Sequence, residues 1–280
     1  MSFKKRLGDF FEPWELKKIS KSYDIIGDIA VVKIPEVMAD KAQQVAMVLL
    51  QSYPYVRTVM RQTGPVTGEL RLRRLERLAG ERKTVTVHRE FGCLLKVDLE
   101  KCYFSPRLGY ERIRIAKQVK ADEVVVNMFA GVGCFSIIIA KHVKPLKVYS
   151  IDVNPDAIRF MKENVNLNRA RYTVEVVKGD AKRVITERLK NVADRVLMPL
   201  PEKAFEYLDA ALAALKPDGG TIHYYDFVHA KKGEDPIGKV EEKVSEKLRD
   251  RGVAFECTFG RIVRSVGPRW FQVVLDLNVH

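Results

Sequence analysis

The chain has little cysteine, no long apolar run and no low-complexity stretch, and each shortage excludes something. Its cysteines, Cys93, Cys102, Cys134 and Cys257, include no CxxC pair, so the spacing of a zinc site is missing and no metal centre is expected. Free, mostly buried thiols are the plain expectation, with a Cys93–Cys102 bridge as the open alternative. No apolar run approaches the ~18–20 residues of a membrane-crossing helix. The opening MSFKKRLGDFFEPWELKK is charged throughout and has no apolar signal-peptide core. A cytoplasmic location and no membrane partner are therefore expected. Acidic residues are also in short supply: 36 Asp and Glu face 49 Lys and Arg, a formal net charge of +13. Nucleic acid is the leading partner class for such an excess, against a merely solvated basic surface. The Lys/Glu-heavy composition is of a kind used by heat-adapted proteins.

What is present divides by pattern near residue 115. Residues 1–114 read as a smaller α+β domain. IGDIAVVKI (26–34) reads as one strand, DKAQQVAMVLLQSY (40–53) as an amphipathic helix and VRTVMRQ (56–62) as a strand. Residues 82–106 read as two or three strands with a turn at Gly92. The arginine-rich 63–83 stretch between them reads as a polar connection.

Residues 115–280 alternate strand and helix. VVV (124–126), KVYSID (147–152), TVEVVKGD (173–180), RVLM (195–198) and GTIHYYDF (220–227) are strand candidates. The intervening helices are CFSIIIAKH, NPDAIRFMKENVNLN, EKAFEYLDAALAAL and GKVEEKVSEKLRDRG. Asn154 is placed to cap the second of these, with Pro155 at its first position and Ile158, Met161 and Val165 on one face. AFECTFGRIV and WFQVVLDLNV follow with no helix between them, so they pair antiparallel. The fold class is therefore α/β, the class I S-adenosylmethionine-dependent methyltransferase form of the Rossmann-like architecture. It is a mostly parallel seven-stranded sheet with a terminal antiparallel hairpin.

Three strand-to-helix junctions carry the cofactor signal. VVVNMFAGVGCFSI runs a buried strand into Gly131-Val132-Gly133, where the backbone can approach a ligand. Ser136 stands where a dinucleotide enzyme wants its third glycine, and a plain tight turn is the bland alternative. Asp152 closes the second strand, where one carboxylate can hold two ribose hydroxyls. Asp180 ends the third, within reach of an adenine amino group, although Gly-Asp is also a common turn. Together they favour S-adenosylmethionine over a nicotinamide cofactor. Phe129, Val153, Asn154 and Ala181 belong to the same junctions. Asn127 stands where methyltransferases of this kind usually carry Asp, keeping an acceptor and losing the charge.

YFSPRLGYER (103–112), NMFAGVGCFSI (127–137), IDVNPDAI (151–158), LMPLPEKA (197–204), GGTIHYYDF (219–227) and RIVRSVGPRWFQVVLDL (261–277) together resemble the archaeal and eukaryotic tRNA guanine-37-N1-methyltransferase family, over nearly the whole chain. The resemblance implies methyl transfer from S-adenosylmethionine to N1 of the guanine 3′ of the anticodon. It assigns Glu111 as general base, Arg71 to the charge developing on O6, and Arg112 to the methionine end of the cofactor. Without it, Glu111 and Arg112 read as a helix-start charge pair and Arg71 as one basic residue among many. Guanine N1 does carry a proton that must leave before it attacks, so a base and a nearby cation suit the chemistry.

Pro201 matches the family's retained proline in the catalytic set, and Pro199 stands where some relatives have Asn. Both fall at the end of the fourth strand and read as a rigid wall for cofactor and base. The 1–114 domain is then expected to bind tRNA, its basic 57–83 stretch meeting phosphates. Arg107, Tyr103 and Ser105 are the expected substrate contacts, with Phe104 and Trp270 as further stacking candidates against a core role. The partner is the tRNA anticodon loop, with no obligatory protein partner and a monomeric state. Longer family members carry a small N-terminal domain that contacts the tRNA elbow, and this chain is expected to lack it before SYDIIGDIAVV. The rivals are the paralogous transfer of the aminocarboxypropyl arm, a non-catalytic tRNA-binding protein on this fold and, more distantly, a nicotinamide dehydrogenase.

Overall fold

The structure is a computed structural model and describes residues 6–8, 10–18 and 23–280. The chain divides into two units, residues 1–107 and 108–280.

In the first unit a short helix α1 (Pro13–Lys18) precedes strands β1 (Tyr23–Ile26) and β2 (Ile29–Val32). These pair antiparallel with Ile26 opposite Ile29. The single strand expected over 26–34 is thus a hairpin. Gly27 takes φ 57°, and a Cβ there would lie 2.1 Å from Thr86 Oγ1, so only glycine turns the chain at this point. Helix α2 (Ala42–Ser52) buries Val45, Ala46, Val48 and Leu49. It leads to β3 (Thr58–Gln62), which runs parallel to β2.

The stretch read as a connection contains β4 (Leu75–Gly80), antiparallel to β3 at the edge of a four-stranded sheet. Its exposed Glu76 and Arg77 are the charges that blunt an edge strand, and they hid the apolar alternation. The expected turn at Gly92 joins β5 (Val85–Glu90) to β6 (Cys93–Asp98). Phe91 and Gly92 both have positive φ, 46° and 74°, the twist a two-residue hairpin prefers.

The second unit opens with α3 (Gly109–Ala116), which packs on α4 (Cys134–His142). The division therefore falls before α3 rather than after residue 114, and Glu111 and Arg112 belong with the larger sheet. Its strands are β7 (Val124–Asn127), β8 (Lys147–Asp152), β9 (Val174–Lys178), β10 (Arg195–Met198), β11 (Gly220–His229), β12 (Phe255–Gly267) and β13 (Trp270–Val279). Their order is β12-β13-β11-β10-β7-β8-β9. β7 to β11 run parallel, while β13 is antiparallel to β11 and to β12. This is the expected class I arrangement.

Every residue of β10 is buried, as parallel strands covered on both faces require. Helix α5 (Pro155–Leu167) starts as expected: Asn154 accepts from the Asp156 amide, and Ile158, Met161 and Val165 are buried. Helix α6 (Ala181–Arg188) carries no clear apolar period in the sequence because it is short and half of it is charged. Helices α7 (Pro201–Ala214) and α8 (Pro236–Asp250) complete the layers. Leu208, Ala211, Val240, Val244 and Leu248 are fully buried in a core shared with Val196 and Leu275. All four cysteines are free thiols, so the 93–102 pairing does not form.

Candidate active site

The strand ends converge. β7 ends on Asn127, β8 on Asp152 and β10 on Met198. The chain steps outward from β7 to β8 and β9, then returns to the other side of β7 as β10. That reversal opens a crevice at the carboxyl ends of the strands, where open α/β sheets take their ligands. Backbone bonds fix its walls. The Met128 amide donates to Leu197 O at 3.0 Å, Ala130 to Ile151 O at 2.8 Å, and Gly179 to Asp152 O at 3.0 Å.

The glycine turn is bound to Asp152. The Gly131 amide donates to Asp152 Oδ2 at 2.6 Å, and the Asn154 amide to Oδ1 at 2.9 Å. Each carboxylate oxygen therefore holds at least one backbone N–H and keeps lone-pair capacity. Burial pushes the Asp152 carboxyl above its ordinary range, against hydrogen bonds from the Asn154, Gly131 and Val153 backbone. Two hydroxyl donors from a ribose would complete that shell and favour the ionised form.

Gly133 has a different reason. It takes φ 91°, and a Cβ there would sit 2.9 Å from Met161 Cγ and 3.0 Å from Ile137 Cδ1. The left-handed φ strains any other residue here, and Met161 and Ile137 would have to shift, whether or not a ligand is present. Asn127 donates from Nδ2 to Ser136 Oγ at 3.1 Å. Its buried Oδ1 has no hydrogen-bond partner among the described residues. An orphaned acceptor at the end of the first strand suits a ligand that brings a donor, such as an ammonium group.

Asp180 does two jobs. It caps α6 through the Arg183 amide at 3.1 Å, and its other oxygen accepts the Tyr207 hydroxyl. The Tyr207 ring lies edge-on to Phe129 at 5.2 Å, tying the β9 end to the β7 loop. Ala181 is buried behind the cap, whereas Val153 is 45% exposed. Pro199 is half-buried in the short loop after β10. Pro201 is buried at the first position of α7, where a missing N–H costs the helix nothing. The adenosyl-binding residues expected from the sequence thus gather at one end of one sheet.

The second cluster lies on one face of the C-terminal strands. Alternation along β11 puts His223 and Tyr225 on the same side, and β13 sets Asp276 opposite His223. Helix α3 covers this face with Glu111 and Arg114, one turn apart. Glu111 is 1% exposed. Arg114 Nε donates to both Glu111 oxygens, at 3.2 and 3.1 Å. The Tyr225 hydroxyl donates to Oε2 at 3.1 Å, and Arg261 Nη1 stands 3.3 Å from Oε1. The Tyr225 ring contacts Phe135 edge-on at 6.3 Å, so Glu111 lies one tyrosine away from the helix that follows the glycine turn. Arg112 is also buried. Sequence reasoning found Glu111 but missed Arg114, Tyr225, Arg261 and Asp276. The Glu-x-x-Arg spacing of 111–114 and the alternation in HYYD were the available signals.

The remaining expected residues lie in the first unit. Arg71 closes a turn, its amide bonded to Gly68 O at 3.1 Å, with φ 55°. Its guanidinium stacks 4.2 Å from the Tyr103 ring centre. A non-glycine residue held in the left-handed region is an outlier of the kind that gathers at functional sites. Arg107 is exposed and donates to Asp24 Oδ1 at 2.7 Å, and Ser105 is buried. Phe104 is fully buried against His88, so it is core rather than a stacking platform. Trp270, in the second unit, is 46% exposed and packs on His229.

Residues 86–253 match the family described as the TRM5/TYW2 methyltransferase domain. The chain belongs to the TRM5/TYW2 family. Residues 3–84 match the TYW2 N-terminal domain, which corrects the expectation that no small N-terminal domain is present. That region takes in β1 to β4 of the first unit, whereas β5 and β6 fall with the methyltransferase-domain match. Among relatives, the chain is 39% identical to tRNA (guanine(37)-N(1))-methyltransferase Trm5b of Pyrococcus abyssi, over 95% of this chain and 78% of that protein. It is 40% identical to tRNA 4-demethylwyosine(37)-methyltransferase Taw21 of Saccharolobus solfataricus, over 99% of this chain and 98% of that protein. A solved complex of aTrm5 with tRNALeu superposes with a TM-score of 0.86 at 36% identity, covering all of this chain and 78% of that one. The family also includes aminocarboxypropyltransferases, such as the Methanocaldococcus jannaschii tRNA(Phe) (4-demethylwyosine(37)-C(7)) enzyme. It is 35% identical over 91% of this chain and 96% of its own length.

Proposed function

We propose that this protein transfers the methyl group of S-adenosylmethionine to the purine at position 37 of tRNA, with N1 of guanine as acceptor. The observation that carries the reading is Glu111. It is a buried carboxylate held by Tyr225, Arg114 and Arg261 beside the helix that leaves the glycine turn. Bound S-adenosylmethionine supplies a sulfonium methyl open to nucleophilic attack. Asp152 would hold its ribose, Asp180 and Phe129 its adenine side, and Asn127 with Arg112 its methionine end. Glu111 takes the N1 proton, which frees the nitrogen lone pair. The resemblance to the family assigns Arg71 to the charge that moves onto O6. Pro199 and Pro201 hold the loop that walls the crevice. The excess of basic residues supports binding of the tRNA backbone, with affinity that falls as salt rises.

A second acceptor is favoured by one side chain. Pro199 offers no side-chain acceptor for the free amino group of guanine. In 4-demethylwyosine that nitrogen is locked into a third ring and needs none. The near-complete, two-way match to Taw21 points the same way.

One experiment separates all three outcomes. The protein is incubated with S-adenosylmethionine labelled separately on the methyl and on the carboxypropyl carbons. One substrate is a transcript with G37, the other a tRNA carrying 4-demethylwyosine at 37, and nucleosides are read by mass spectrometry. Methyl label in 1-methylguanosine is expected. Methyl label on the tricyclic base alone moves the acceptor, and carboxypropyl label in either overturns methyl transfer.

A further inference from the structure

Glu111 does not stand alone. A chain of buried, directional hydrogen bonds leads away from it. Arg114 spends its Nε on Glu111, and its Nη1 and Nη2 on Asp276 Oδ2 and Oδ1 at 2.5 and 3.0 Å. Asp276 also takes His223 Nδ1 at 2.6 Å and Gln118 Nε2 at 3.0 Å. His223 Nε2 lies 2.7 Å from Arg195 Nη1, and Arg195 is bidentate to Glu123 at 2.7 and 2.9 Å. Arginine only donates, so His223 Nε2 accepts and its proton sits on Nδ1, aimed at Asp276. Glu111, Glu123, His223, Arg195 and Asp276 are each less than a tenth exposed.

The charges balance along this chain. Glu123 and Arg195 cancel, His223 is neutral, and Asp276 and Glu111 face Arg114 and Arg261. One guanidinium is thus shared between two carboxylates, and only one of them stands beside the glycine-turn helix. Whatever Asp276 takes from Arg114 is withheld from Glu111.

We propose that Arg114 and Tyr225 are positioning residues for Glu111, and that Asp276, oriented by His223, sets how tightly Arg114 holds it. The inference rests on the reading of Glu111 as the base. A structural salt bridge needs neither the shared arginine nor the fixed histidine tautomer, because a plain Glu111–Arg114 pair would satisfy both charges. The groups facing Glu111 are Arg114 on its own helix, Tyr225 on β11 and Arg261 on β12, with Asp276 on β13 acting through Arg114. Cys257 on β12 also feels Asp276, but burial first of all raises its thiol to about 11, so it stays neutral. Burial raises Asp276 while its bonds to His223 and Arg114 hold it, in sum, well below the usual carboxylate range, so it keeps its charge throughout.

The two sides of the arrangement predict opposite shifts. In Asp276→Asn, Arg114 turns its full charge on Glu111, which becomes a weaker base. Single-turnover methyl transfer should fall about twofold to threefold, and its acid limb should move to lower pH by roughly half a unit. In Tyr225→Phe, Glu111 loses a donor, and the acid limb should move up by a similar amount. Affinity for S-adenosylmethionine and tRNA should change by no more than about twofold in either variant. Calorimetric binding of S-adenosylmethionine shows which variants are folded. If one fails to fold, the limb of the other decides. An unmoved acid limb in a variant that binds normally overturns the inference. Glu111→Gln is the control: if it keeps turnover, the base reading itself falls. If it loses turnover while both limbs stay fixed, only the positioning role falls.

Discussion

The two halves of the large sheet hold carboxylates in opposite ways. At the end of β8, Asp152 is gripped by backbone amides, Gly131 and Asn154, within a few residues of a turn. Under α3, Glu111 is gripped by side chains from α3, β11 and β12. A backbone cradle presents fixed donors and leaves lone pairs for a neutral ligand. A side-chain cradle of cations and a hydroxyl controls the charge of the group it holds. The first arrangement suits binding and the second suits proton transfer. The proposed function assigns the first half to the cofactor and the second to the chemistry.

The sharpest way to break that contrast is to neutralise each carboxylate in turn. Glu111→Gln should lower the methyl-transfer rate by about 100-fold or more, as loss of a general base does, while leaving S-adenosylmethionine affinity nearly unchanged. Wild-type turnover would remove Glu111 from the chemistry. Asp152→Ala should do the reverse, weakening S-adenosylmethionine binding by about 100-fold, as loss of two charge-assisted bonds would, with tRNA affinity intact. Equal loss of cofactor binding in both variants would mean that the two halves do not differ in role.

Acid should separate the halves more gently. Burial holds the His223 pKa below its ordinary value, with the Arg195 and Arg114 charges helping and Asp276 opposing. The unfolded chain then binds the proton that the folded one refuses. Stability is complete above the unfolded value, about pH 6.5, and is lost as pH falls below it. Thermal unfolding should therefore show a midpoint that drops from pH 8 to pH 5, and His223→Gln should flatten that slope; an unchanged slope would mean that His223 is not the group responsible. The smallest effect belongs to the β8–α5 junction. Asn154→Ala removes the cap bond to the Asp156 amide and should cost about 1 kcal/mol, read as a modest fall in the denaturant midpoint at unchanged slope. No loss there would mean that Pro155 starts the helix unaided.

The cofactor half was legible in the sequence because its signals are local. KVYSID and RVLM are strands over the residues read, and NPDAI carries its own cap and its own first-turn proline. Misreadings fell where local signals are weak or cancelled. β4 is masked by edge charges, α6 is a short charged helix, and the 26–34 strand is broken by one glycine whose neighbour, Thr86, is far away in sequence. The strands and helix of the N-terminal region were read, but as part of one 1–114 domain, because no motif in them marks residues 3–84 as a domain of their own.

The sequence by itself determined the order of the strands in the second unit, the parallel class of its sheet and the junction residues Gly131, Asp152 and Asp180. Periodicity, caps and turns act over a few residues, so neighbouring residues report them. Only the tertiary structure decided that Glu111 shares Arg114 with Asp276, that His223 points its proton at that carboxylate, and that Phe104 is core. Those facts depend on elements distant along the chain meeting in space, as Arg114 on α3 and Asp276 on β13 do, and His223 on β11 with Asp276. Burial then turns ordinary polar side chains into a single chain of obligatory partners.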